Sequence, residues 1–92
     1  MLYCVQMEVR VPHDVNPAHL DVLKAEEKAC AQDLQRAGKW IHLWRVAGRY
    51  ANLSVLDVAD HDELHAILSS LPLFPFMDVT VTPLARHPSA IV

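Results

Sequence analysis

Glu27 is an acid set among apolar neighbours. At about 100° per residue, Leu20, Leu23, Cys30, Leu34 and Ala37 fall on one helical stripe, and Glu27 falls in its middle. Its neighbours Glu26 and Lys28 fall off the stripe, and Lys24 lies one turn earlier at its margin. A carboxylate turned towards a core is costly unless it is paired or hydrogen-bonded. Burial also lifts its pKa towards the range in which it works as a general base near neutral pH. A second reading is equally open at this point. Glu27 can reach the edge of the stripe and pair with Arg45 or Lys24 as a structural ion pair, which also perturbs pKa values.

A second cluster follows in Trp40-Ile41-His42-Leu43-Trp44-Arg45. Strict alternation puts Trp40, His42 and Trp44 on one face of a strand, with Ile41, Leu43 and Arg45 on the other. A further strand adds Tyr50, Asn52 and Ser54 on one face, opposite Ala51, Leu53 and Val55. Polar groups within otherwise apolar strands suggest a pocket for something polar. The guanidinium fork of Arg45 suits a substrate carboxylate, which it can hold bidentately. His42 is a second candidate base. Taken singly, the tryptophans can be core or interface and His42 a satisfied imidazole; their concentration in one short hairpin is what points to a site.

The elements that must position these groups follow from period and punctuation. Residues 2–11 alternate, with Tyr3, Val5, Met7, Val9 and Val11 on one side, until Pro12 ends the strand. Asn16-Pro17 fits a helix N-cap with proline in the first turn, and the helix runs to about Ala37, with Gly38 as its C-terminal cap. Lys39–Ala47 and Arg49–Val58 read as a hairpin turning at Gly48. Asp60 caps a second helix from His61 to about Leu71, with Leu64, Ile67, Leu68 and Leu71 as its apolar stripe. Pro72 and Pro75 stiffen the next segment, and Met77–Leu84 forms the last strand with Val79, Val81 and Leu84 inward.

The order β-α-β-β-α-β folds, with right-handed crossovers, into an α+β, ferredoxin-like domain spanning residues 1–92. It has a four-stranded antiparallel sheet with two helices on one face. The uncovered face still carries apolar and aromatic side chains, so sheet-to-sheet pairing between subunits, as in a dimeric α/β barrel, is expected.

Composition excludes several classes. The chain has 92 residues, 52% hydrophobic and 21% charged, so it folds as one unit and is not a disordered tail. The formal charge of −3, with scattered basic residues, argues against nucleic acid. Cys4 and Cys30 match no metal or redox spacing and suit a reducing cytoplasm. The N-terminus lacks the pattern of a signal peptide, and no apolar run is long enough to cross a bilayer. His61 and His65 have a zinc-compatible i, i+4 spacing but no third ligand, so no metal is expected; His13 and His19 read as solvated. With two glycines there is no phosphate loop, and no nucleophile motif appears.

Four strings resemble the muconolactone isomerase family: Leu71-Pro72-Leu73-Phe74-Pro75-Phe76-Met77-Asp78, Trp40-x-His42-Leu43-Trp44-Arg45, Tyr50-Ala51-Asn52-x-Ser54-Val55 and Arg86-His87-Pro88-Ser89. Lys24, Glu27 and Lys28 also stand where that family has them. The resemblance covers nearly the whole chain, and these strings are more specific than a fold that hosts many activities.

The resemblance implies conversion of muconolactone to 3-oxoadipate enol-lactone in the β-ketoadipate pathway of aromatic catabolism, without cofactor or metal. It also implies a cytoplasmic homodecamer built from dimers, with pockets near subunit contacts. On this reading Glu27, Lys24 and His42 are the catalytic candidates, and Arg45, Tyr50, Asn52, Trp40 and Trp44 bind a small lactone carboxylate. Two rivals stand beside it, a monooxygenase of similar fold and a non-catalytic module that binds small acids.

Overall fold

The computed structural model describes residues 1–91. Strand β1 spans Leu2–Val9, helix α1 Pro17–Arg36, β2 Trp40–Arg45, β3 Ala51–Asp57, α2 His61–Ser70 and β4 Met77–Leu84, with one 3₁₀ turn at Phe74–Phe76. The strands form one antiparallel sheet in the order β2-β3-β1-β4. This is the expected β-α-β-β-α-β arrangement.

Local chemistry sets the helix ends. Asn16 Oδ1 accepts from the amides of Ala18 and His19, and Pro17 occupies the first helical position, where a missing N–H costs nothing. Asp60 Oδ1 accepts from the Glu63 amide at 2.8 Å, while Glu63 Oε1 takes the Ala59 amide and an ion pair from Lys39. Gly38 and Gly48 both adopt positive φ, as a helix exit and a tight hairpin require.

Tyr3, Val5 and Met7 from β1 are buried, as are Trp40 from β2 and Leu56 from β3. They form one core cluster with Ala31 of α1 and Leu64 and Leu68 of α2, so both helices cover the same sheet face. Tyr3 also reaches the first turn of α2, where its hydroxyl meets His61 Nδ1.

Two sequence expectations need correction. In β4, Val79 packs on the core, but Val81 is exposed on this edge strand, and Leu84, opposite Leu2, falls on the other sheet face. In β2 the alternation is broken. Trp40 pairs with Leu56 and His42 with Val55, so Ile41 is an extra residue, a β-bulge. The bulge shifts the phase of everything after it. Leu43 and Arg45, opposite Ser54 and Asn52, join Trp40 on the helix-covered face, whereas His42 and Trp44 are turned to the other.

Candidate active site

A cleft of about 370 Å³ opens between α1, the β2–β3 hairpin and the proline-stiffened turn before β4. Its volume falls in the range of small-ligand sites. Helix α1 contributes Lys24, Glu27, Lys28 and Ala31, all within two turns and on one side. The hairpin contributes Trp40, Leu43, Arg45, Tyr50 and Asn52, and Leu73 closes the far wall.

Glu27 is half-buried, and its Oε2 accepts a hydrogen bond from the Leu73 amide at 3.3 Å. Burial pushes its pKa above the ordinary carboxylate value, and the Leu73 amide offsets part of that rise. Among the described residues Glu27 makes no ion pair, so the structural pairing with Arg45 or Lys24 is not formed. The result is a carboxylate made more basic by dehydration and held at one oxygen by a neutral donor. That is what a general base needs. The Cys30 thiol, one turn on, is pushed up as well, by its own burial and then by the charges of Glu27 and Asp33.

Lys24, Lys28 and Arg45 supply three positive charges to the same cleft, and among the described residues none makes a salt bridge. Lys24 Nζ lies 5.4 Å from the centre of the Tyr50 ring, and the Arg45 guanidinium carbon lies 5.3 Å from it. Asn52 is oriented from behind. The buried Ser54 hydroxyl donates to Asn52 Oδ1 at 2.7 Å, which leaves the amide N–H groups uncommitted.

Of the sequence candidates, the cleft brings together Glu27, Lys24, Arg45, Tyr50, Asn52 and Trp40. His42 and Trp44 are not among its lining residues. The bulge at Ile41 sends them to the opposite sheet face, where their rings stack at 4.8 Å. Lys28, read from the sequence as off the stripe, does line the cleft, because the site lies on the flank of α1 and not over its core seam. Its i, i+4 relation to Lys24 was the available signal. The Leu73 amide carried no signal, since it acts through a contact distant in sequence, and Ser54 stood out only as a polar strand residue, without its bond to Asn52. Among the described residues no three metal-binding side chains gather at one place.

Comparisons with known proteins show the family. The family model described as muconolactone delta-isomerase matches residues 1–90. A muconolactone delta-isomerase of Cupriavidus pinatubonensis is 60% identical over 99% of both chains. One of Pseudomonas aeruginosa is 53% identical over 99% of this chain and 95% of its own. A crystal structure of muconolactone isomerase superposes with a TM-score of 0.95 at 55% identity, covering 100% of this chain and 96% of the other. A structure titled as a putative antibiotic biosynthesis monooxygenase from Deinococcus radiodurans has a TM-score of 0.53 at 8% identity, over the full length of both chains, a likeness of fold alone.

Proposed function

The chain belongs to the muconolactone delta-isomerase family, and from that premise we propose that it moves the ring double bond of muconolactone to give 3-oxoadipate enol-lactone, with Glu27 as the proton carrier. The reaction needs a base to take the ring proton at the gamma carbon. That proton is acidified because the resulting charge spreads through the alkene onto the lactone carbonyl. Returning a proton at the alpha carbon completes the isomerisation with no net change in atoms, and one carboxylate can serve both steps. The observation that carries the assignment is the half-buried Glu27 carboxyl, raised in pKa and, among the described residues, in no ion pair.

The other cleft residues divide the remaining work. Arg45 holds the acetate carboxylate of the substrate. Lys24, with Lys28 beside it, stabilises the dienolate oxygen as charge develops there. Asn52, its carbonyl occupied by Ser54, donates an amide hydrogen to the lactone. Trp40 and Leu43 form a wall that excludes water. His42 stands outside the cleft, which favours Glu27 over it as the base.

We further read residues 1–92 as one cytoplasmic domain that assembles as a homo-oligomer, a decamer built from dimers. The half-buried, unpaired cysteines suit a reducing compartment. Among the described residues no helix is long and apolar enough to cross a membrane. Trp44, 55% exposed on the uncovered sheet face, supports pairing of that face with another copy.

One assay tests the reaction. Purified protein in deuterated buffer is expected to consume muconolactone, followed by ultraviolet absorbance, and to wash solvent deuterium into the ring. Oxygen uptake in place of isomerisation, or tight binding without turnover, refutes it. Light scattering of the same sample tests the assembly.

A further inference from the structure

We infer that Tyr50 is a positioning residue for the isomerisation, and that it acts through the face of its ring, which holds the Lys24 and Arg45 cations in place for the substrate, and not through its hydroxyl. The inference rests on reading the cleft as a lactone-carboxylate site.

Lys24 comes from α1 and Arg45 from the end of β2, and nothing in their own elements ties them together. Two like charges on one cleft repel, and both side chains are long and rotamer-rich. Neither has a carboxylate partner among the described residues. Both lie over the Tyr50 ring, Lys24 Nζ at 5.4 Å and the Arg45 guanidinium carbon at 5.3 Å from its centre. Both distances are within the range at which the negative face of an aromatic ring attracts a cation. A ring can order these cations without neutralising them, which a carboxylate cannot do, and an anionic substrate needs them uncancelled.

The backbone that carries the ring is anchored. The Tyr50 carbonyl accepts from the Val9 amide at 3.0 Å, and the adjacent Arg49 pairs with Glu8 at 2.8 Å. The hairpin that carries the ring is therefore tied to β1, and the cations are referred to the sheet through it.

Fluorinated phenylalanines at position 50 test this, because fluorine drains the ring face while nearly preserving its shape. Relative to Tyr50→Phe, kcat/KM for muconolactone should fall stepwise with one, two and three fluorines, KM taking the larger share. The total loss expected is on the order of fivefold. Tyr50→Leu should lose more, and Tyr50→Phe should recover most of it. A flat fluorine series overturns the inference. So does a Tyr50→Phe variant as impaired as Tyr50→Leu, since the hydroxyl would then be the working group.

A readout free of turnover separates this idea from the proposed reaction. The Arg45 side-chain N–H resonance should carry a ring-current shift that survives in Tyr50→Phe and disappears in Tyr50→Leu. If the wild-type protein fails to isomerise muconolactone yet shows that pattern, the reaction is refuted and the ring's hold on Arg45 stands. If it isomerises and the pattern is absent, the positioning role fails.

Discussion

The backbone amide of Leu73 reaches across 46 residues of sequence to Glu27, donating to its Oε2 at 3.3 Å. One end of this contact is a helix flank, and the other is a turn stiffened by Pro72 and Pro75. The donor is neutral and fixed, so it orients the carboxyl without supplying a positive charge that would make it a weaker base. Glu27→Gln keeps the shape and the Leu73 contact but removes the base. A loss in kcat of roughly 10²–10⁴-fold is expected, the usual contribution of general base catalysis. A folded variant with full turnover would overturn the assignment.

The same burial fixes the sign of the pH dependence. In the proposed mechanism the working form of Glu27 is the carboxylate, and burial raises its pKa in the folded protein. Activity should therefore fall as pH drops through that raised value, placing the acid limb of kcat/KM above the ordinary 4.5 of a glutamate. An acid limb at or below that ordinary value would contradict the dehydrated site.

Stability should move the opposite way. Between the ordinary pKa and the raised one, the folded state binds more protons at Glu27 than the unfolded state does, so stability declines as pH rises through that window. Glu27→Gln cannot ionise and escapes the decline. Its Tm should equal or exceed that of the wild type at neutral pH, with the advantage vanishing in acid. Thermal melts at two pH values check this.

Arg45 and Lys24 can be told apart by which constant moves. Arg45→Lys keeps the charge but loses the planar fork, and should raise KM for muconolactone by about tenfold with a smaller change in kcat. Lys24→Met should chiefly lower kcat if that ammonium faces the developing dienolate. Steady-state kinetics on the two variants decides it.

Much of this was legible in the sequence, and the residues say why. Glu27 broke a helical stripe, a conflict between local polarity and global pattern, and it lines the cleft. Asn16, Asp60 and Gly38 announced their caps because capping is local chemistry. The faces of β2 were not legible, since alternation assumes an unbroken ladder and a bulge depends on a partner strand that sequence period does not contain. Lys28 was passed over because the core stripe and the cleft face of α1 do not coincide.

His42 offers a check on that correction. With its side chain on the far face from the cleft, His42→Asn should cost far less in kcat than Glu27→Gln, under about tenfold. A comparable loss would return His42 to the reaction.

Gly48 carries the hairpin that presents Arg45 and Tyr50. Nothing lies within 4 Å of where a Cβ would sit, so the cost of Gly48→Ala comes from its φ of +79° alone. About 1 kcal/mol is expected, or roughly 4–8 °C in Tm for a domain of this size, read by calorimetry.

The bulge at Ile41 has a consequence for how such a protein can change. The position of that extra residue decides which side chains of β2 address the interior and which the exterior. Removing its codon would leave the two sets where they are, because Trp40 and His42 would then follow each other in a regular ladder, still opposite Leu56 and Val55, with Arg45 still opposite Asn52. Forcing all six residues into an unbroken ladder would instead turn the imidazole and indole inward and the guanidinium outward, so what the interior recognises depends on where the ladder slips and not on side-chain identity alone.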